Sequence, residues 1–211
     1  MAKIIDISMS YNDSMPGFSK SVAKSMAEDG WNASDLHIYS HAGTHMDAPA
    51  HFDINPTTID EIPPHRFISD CHIIKVPDST ESQILGLEVL GEKANRIKEM
   101  ESVIFQTGWS KYYKNKTVYR NKLPRIGAEL ASWLAKRRVN LVGVEPPSVA
   151  DVNNLEEIQL IHRILLEANI LILEGITNLE AIQKEYVKLL AFPLKIYQGD
   201  GAPVRALIIE E

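Results

Sequence analysis

The sequence has one cysteine, Cys71, in 211 residues, so no disulfide can form within the chain and a reducing compartment is expected. Long apolar runs are also missing. The longest, such as Ile170-Leu171-Ile172-Leu173, fall far short of a membrane-spanning helix. The start, Met1-Ala2-Lys3-Ile4-Ile5-Asp6, lacks the apolar stretch of a secretory signal, and a cytoplasmic location is expected. Positive charge is in deficit: 22 Lys and Arg against 28 Asp and Glu give a net charge of −6. That balance speaks against nucleic acid or an anionic membrane as the main partner. No glycine motif for phosphates is present, so no dinucleotide site is expected. What is present in excess is local. The chain has seven histidines, and His41, His45 and His51 fall within eleven residues, where random placement would put roughly 0.4.

No internal repeat, low-complexity tract or domain boundary is visible, so one domain over residues 1–211 is expected. Short runs rich in β-branched residues predict strands at Ile4–Ser8, Leu36–Ser40, His72–Val76, Ser102–Gln106, Asn140–Val144, Ile170–Glu174, Val187–Leu194 and Val204–Ile209. Helical spacing predicts helices over Leu87–Met100, Ala128–Arg138 and Leu155–Ala168, the last opened by Asn153-Asn154 and an acidic first turn. The expected class is mixed α/β. Residues 110–125 carry six basic side chains, three tyrosines and no acid. Such a stretch can mark a phosphate or nucleic-acid patch, but at this net charge a solvated excursion is expected.

The segment Ser40-His41-Ala42-Gly43-Thr44-His45-Met46-Asp47-Ala48-Pro49-Ala50-His51-Phe52 spaces His, His, Asp and His by four, two and four. Imidazoles with a carboxylate suit a borderline divalent cation such as zinc or manganese. Gly43 and Pro49 both oppose a regular helix, so a curved loop is expected. A lone histidine in such a loop is ordinarily a surface group; three with an aspartate point to metal, and the missing cysteine pair points away from a structural zinc site. A second contribution is expected downstream. His162 sits mid-helix among Ile158, Ile161 and Leu165, and Glu174 ends an apolar strand. Each alone reads as an ordinary core histidine and an ordinary strand end, while the helix-then-strand order could bring both to one end of a sheet. Thr44 reads equally as a turn hydroxyl or as a group that orients a ligand.

His-x-Gly-Thr-His-x-Asp-x-Pro-x-His, as it stands at His41–His51, resembles the signature of the metal-dependent cyclase family that includes bacterial kynurenine formamidase and isatin hydrolase. Gly143-Val144-Glu145-Pro146-Pro147-Ser148-Val149-Ala150-Asp151 is similar to that family's middle motif, with Glu145 where Asp is usual. His162 with Glu174-Gly175-Ile176-Thr177-Asn178-Leu179 resembles its second ligand segment, and Gly199-Asp200-Gly201-Ala202-Pro203-Val204-Arg205 its C-terminal strand. The resemblance implies a swivelling β/β/α fold, a mixed sheet with flanking helices. It also implies a binuclear centre of two divalent ions, Zn2+ or Mn2+. His41, His45 and Asp47 would hold one ion, and His162 the other, with Asp47 and Glu174 touching both. His51 would be the proton donor and acceptor. The implied reaction is hydrolysis of a carbon–nitrogen bond in a small amide, either an aryl formamide such as N-formylkynurenine or a cyclic amide. A lactonase, a ring-closing enzyme and a non-catalytic metal-binding protein are the alternatives. A homodimer or higher homo-oligomer is also implied. Met15-Pro16-Gly17-Phe18 stands where kynurenine formamidases have Trp-Pro-Gly-Asp, so the substrate-binding residues are left unassigned.

Overall fold

The structure, a computed structural model, describes residues 2–77 and 79–211. Along the chain come β1 (Lys3–Asp6), β2 (Phe18–Lys24), α1 (Met26–Asp29), β3 (Ala33–Ile38), β4 (His45–Asp47), β5 (Ile68–Lys75), β6 (Ile84–Leu85) and β7 (Ser102–Gln106). They are followed by α2 (Lys116–Asn121), β8 (Arg125–Ile126), α3 (Ala128–Arg137), β9 (Leu141–Val144), α4 (Leu155–Glu167), β10 (Leu171–Glu174), β11 (Tyr186–Pro193) and β12 (Gly201–Glu210).

Eight strands form one mixed sheet in the order β1-β12-β11-β5-β7-β9-β10-β4. β5, β7, β9 and β10 run parallel at its centre. β4 pairs with β10 on one side and with the start of β12 on the other, which closes the sheet into a ring. Strand alternation divides the apolar residues between two cores. Ile73, Ile104, Leu141, Leu171 and Leu173 face the inside of the ring. Ile74, Val103, Phe105, Val142 and Ile172 face outward, where α3 and α4 cover them through Leu130, Leu134, Ile161 and Leu165. Gly143 lets the ring close tightly, since a Cβ there would sit 2.7 Å from Ile104 Cγ1.

The mixed sheet with flanking helices agrees with the expected class. Helix α4 starts as its sequence predicts: the Asn154 side chain accepts from the Glu157 amide at 3.1 Å, and Glu156 and Glu157 sit at the positive end of the helix dipole. Two expectations fail. Leu87–Met100 is not an α-helix: Leu87–Asn95 forms 3₁₀ turns broken at Gly91, whose φ of 49° and ψ of −138° no helix accommodates. The histidine segment is not all loop, because His45–Asp47 is a buried strand inserted between β10 and β12. The hairpin of β2 and β3 was only half expected. Its residues are exposed on both faces, so β2 carries no alternation to read. Among the described residues no helix is long and apolar enough to cross a membrane.

Candidate metal centre

Pairing of β4 with β10 sets His45 opposite Glu174 and Asp47 opposite Ile172. Met46, between them, points into the ring core. His45, Asp47 and Glu174 therefore project from the outer face of the sheet, toward α4. There His162 sits on the helix's buried stripe with Ile161, Leu165 and Leu166. The strand reaches this position through a backbone crossing with no room for side chains. A Cβ on Gly175 (φ 66°) would sit 2.3 Å from the Gly43 carbonyl oxygen. Thr44 fastens the crossing: its hydroxyl donates to the Gly175 carbonyl at 2.6 Å and accepts from the Met9 amide at 2.8 Å. Its role here is to hold the backbone of the site, closer to the turn-hydroxyl reading than to a ligand-orienting one.

The five side chains converge. Asp47 Oδ1 lies 2.8 Å from His41 Nδ1 and 3.6 Å from His45 Nε2, while its Oδ2 lies 3.6 Å from His162 Nε2. Glu174 Oε2 lies 3.2 Å from His45 Nε2, and its Oε1 3.6 Å from His162 Nε2. Asp47 thus meets all three imidazoles, and Glu174 spans two of them. On the far side, each ring has an acceptor for its other nitrogen. These acceptors are Asp200 Oδ2 for His41 Nε2 (2.8 Å), the Gly43 carbonyl for His45 Nδ1 (3.0 Å) and the Ile158 carbonyl for His162 Nδ1 (2.7 Å). A neutral imidazole that donates outward aims a lone pair inward. Three inward lone pairs facing two buried carboxylates repel unless protons or a cation lie between them. The donor set of imidazole nitrogen and carboxylate oxygen fits divalent zinc or manganese.

The electrostatics carry the same message. Burial opposes charge on His41, but the adjoining Asp47 and Asp200 carboxylates outweigh it and raise its pKa to about 9. Burial likewise opposes charge on His45 and His162, yet Glu174 and Asp47 raise both. Burial would raise Asp47 and Glu174, and the surrounding imidazoles hold both carboxyls below their ordinary range. His51 is the exception: burial lowers its pKa, with opposing and reinforcing charges around it, which favours the neutral ring. It lies within the 3₁₀ turn Pro49–Phe52, stacks on His41 at 3.9 Å between centroids, and keeps its side chain 26% exposed.

The cavity above these residues has a volume of about 330 Å³. Met15 and Tyr39 line one wall, whereas Phe18 turns away to pack on Tyr11. Sequence reasoning assigned no role to Asp200, which reaches His41 and lies 3.5 Å from His51 Nδ1. Its position between Gly199 and Gly201, at the start of a strand, was the available signal. The expected solvated excursion over 110–125 is also revised: Tyr113, Lys116, Tyr119 and Arg120 line the cavity. Glu145 organises that stretch, accepting from the Thr107 amide at 2.6 Å and the Ser110 hydroxyl at 2.7 Å. His72 lies away from the site and pairs with Glu101 at 2.8 Å.

Comparison with known proteins fits this arrangement. A family model described as "Putative cyclase" matches residues 5–151. A kynurenine formamidase of Bacillus cytotoxicus is 30% identical over 211 residues, covering 97% of this chain and 96% of its own. One from Bacillus anthracis is 30% identical over 214 residues, covering 98% and 97%. Isatin hydrolase A from Ralstonia solanacearum superposes with a TM-score of 0.88 at 24% identity, covering 100% of this chain and 92% of that one. An isatin hydrolase bound to the product analogue thioisatinate gives 0.91 at 19% identity, covering 99% and 92%. These solved structures share the fold.

Proposed function

The chain belongs to the cyclase family, and we propose that it is a metal-dependent hydrolase of the carbon–nitrogen bond in a small amide. The kynurenine formamidases that match it along nearly their whole length support that reaction class. The observation that carries the reading is the set of three buried imidazoles aimed at two carboxylates, Asp47 meeting all three and Glu174 two. His41, His45 and Asp47 would hold one divalent ion, and Asp47, His162 and Glu174 a second, with Zn2+ favoured and Mn2+ compatible with the same donors. When bound, such ions supply Lewis acidity for a carbonyl and make hydroxide available near neutral pH.

The chain's own groups supply the rest. His51 faces the cavity with a neutral ring, placed to take the proton that the attacking water gives up and to hand it to the departing amine. Asp200 holds His41 in one tautomer from behind, as carboxylates behind ligating histidines do. Asp200→Asn is expected to weaken metal binding by about 10–100-fold. Competition against a chromophoric chelator measures it, and unaltered affinity would remove Asp200 from that role. The favoured substrate is an aryl formamide or a related cyclic amide, and Cys71 buried as a free thiol suits the cytoplasm.

We place the protein in a homo-oligomer through the β2–β3 hairpin. A two-stranded hairpin is marginal in water on its own, and this one exposes Val22 (75% accessible), Leu36, Met26 and Trp31. A second copy would cover them. Sedimentation velocity is expected to show a dimer or larger species, and Leu36→Glu to shift it toward monomer; a monomeric unsubstituted chain would contradict this.

A panel of aryl formamides, isatin-like lactams and simple lactones, each with and without chelator, tests the reaction. Chelator-sensitive turnover of an amide is the expected result. Turnover of lactones alone would reassign the bond cleaved, and no turnover on any compound would favour a metal-binding protein without this catalysis.

A further inference from the structure

Two cations line the cavity that neither the metal residues nor His51 requires. Lys116 and Arg120 stand four residues apart on α2, on one side of that short helix, beside Tyr113. Of the other basic residues in the stretch, Lys122 pairs with Glu81 at 2.8 Å and Arg125 with Glu157 at 2.7 Å, while Lys111 and Lys114 lie over the Tyr112 and Tyr113 rings and do not line the cavity. Among the described residues Lys116 and Arg120 have no carboxylate partner. The carboxylates that line the cavity, Asp47 and Glu174, are buried and committed to histidines. A chain of net charge −6 thus presents unpaired positive charge at this opening.

The helix that carries these cations is tied down. Tyr119, between them, donates its hydroxyl to the Glu145 carbonyl at 2.6 Å, and the buried Trp109 indole donates to the Tyr119 carbonyl at 3.0 Å. The Glu145 carboxylate in turn accepts from the amides of Thr107 and Gly108 and from the hydroxyls of Thr107 and Ser110. Glu145 follows directly on β9, and the next residue, Pro146, accepts from the Gly175 amide at 2.9 Å, one residue past Glu174. The cations are therefore held in a set relation to the metal-binding residues.

We propose that Lys116 and Arg120 form a subsite for a carboxylate carried by the substrate at the end remote from the bond that is cleaved, so that the preferred substrate is an acidic amide. This rests on the amide-hydrolase reading above. The guanidinium of Arg120 offers a planar fork matched to a carboxylate, and Lys116 adds a mobile point charge. No glycine-rich backbone cradle accompanies them, which favours carboxylate over phosphate. At an open rim the effect falls on capture and KM more than on kcat, and it weakens with salt.

The test pairs an N-formyl anilide bearing a side-chain carboxylate with the same compound as its carboxamide. On the metal-loaded enzyme at low salt the carboxylate is expected to have a kcat/KM about 10-fold higher or more, mostly through KM. Added salt should shrink that ratio. In the Lys116→Ala/Arg120→Ala double variant the ratio should fall toward one, and Arg120→Lys should keep part of it. Equal kcat/KM for the two compounds on the unsubstituted enzyme, or a ratio insensitive to both salt and the double variant, overturns the subsite while leaving the hydrolase reading intact. If neither compound is cleaved, that reading fails by itself. Calorimetric binding of the two compounds then decides the subsite, with preferential binding of the carboxylate supporting it and equal binding refuting it.

Discussion

His51→Ala is expected to lower turnover by about 10²–10⁴-fold while leaving metal content unchanged. The two halves of that outcome come from different features of the site. The ring is absent from the two sets built on the buried carboxylates, His41 with His45 and Asp47, and Asp47 with His162 and Glu174; it joins only a third, more open set with His41 and the exposed Asp200. Its contacts are the face of His41 and the Asp200 carboxylate 3.5 Å from Nδ1. It is also the most open imidazole of the group, with 26% of its side chain accessible against 2% for His45 and His162. Burial lowers its pKa, so near neutral pH it is a base able to take a proton and hand it on. Elemental analysis and steady-state kinetics on one preparation check both halves. Full activity would take His51 out of the mechanism, and lost metal would make it a ligand with Asp200 and His41.

The reciprocal pattern is expected at Glu174. Glu174→Gln keeps the shape and one oxygen for the Val149 amide, which now donates to Oε1 at 2.8 Å. It removes the negative charge that lies between His45 and His162. Metal affinity is expected to fall by about 10²-fold, roughly 2.7 kcal/mol, and turnover with it. Because Gln preserves the packing, circular dichroism and the thermal midpoint of the metal-free protein should stay close to those of the unsubstituted chain. Unchanged affinity would show that the carboxylate is a structural group of the β4–β10 pair.

The parts of the molecule that were legible in the sequence are those in which one short segment carries its whole physical reason. The buried central strand Ser102–Gln106 is a continuous β-rich run, and its observed bounds are the expected ones. Helix α4 announces itself through its cap, its acidic first turn and its apolar stripe. The histidine motif was visible because its residue types crowd into one window. What escaped depends on long-range pairing. Strand β4 is only His45–Asp47, too short for a period to register, and is made a strand by β10 and β12 on either side. The turns at Leu87–Asn95 mimic helical spacing, but Gly91 adopts a backbone conformation that no helix includes. Asp200 is remote in sequence from the histidines it meets, 159 residues from His41. Lys116 and Arg120 looked like solvated surface because nothing local says that Glu145 and Trp109 anchor their helix beside a cavity.

The central claim, that the imidazoles of His41, His45 and His162 with Asp47 and Glu174 form a metal-dependent amide-cleaving centre, has one most direct measurement. The purified protein is stripped with chelator, and formate release from an aryl formamide is followed as Zn2+ or Mn2+ is added back. The expected result is no release from the stripped protein and recovery that saturates as metal binds, with recovery abolished in Glu174→Gln at the same metal concentration. Formate release that continues undiminished after stripping would contradict the account.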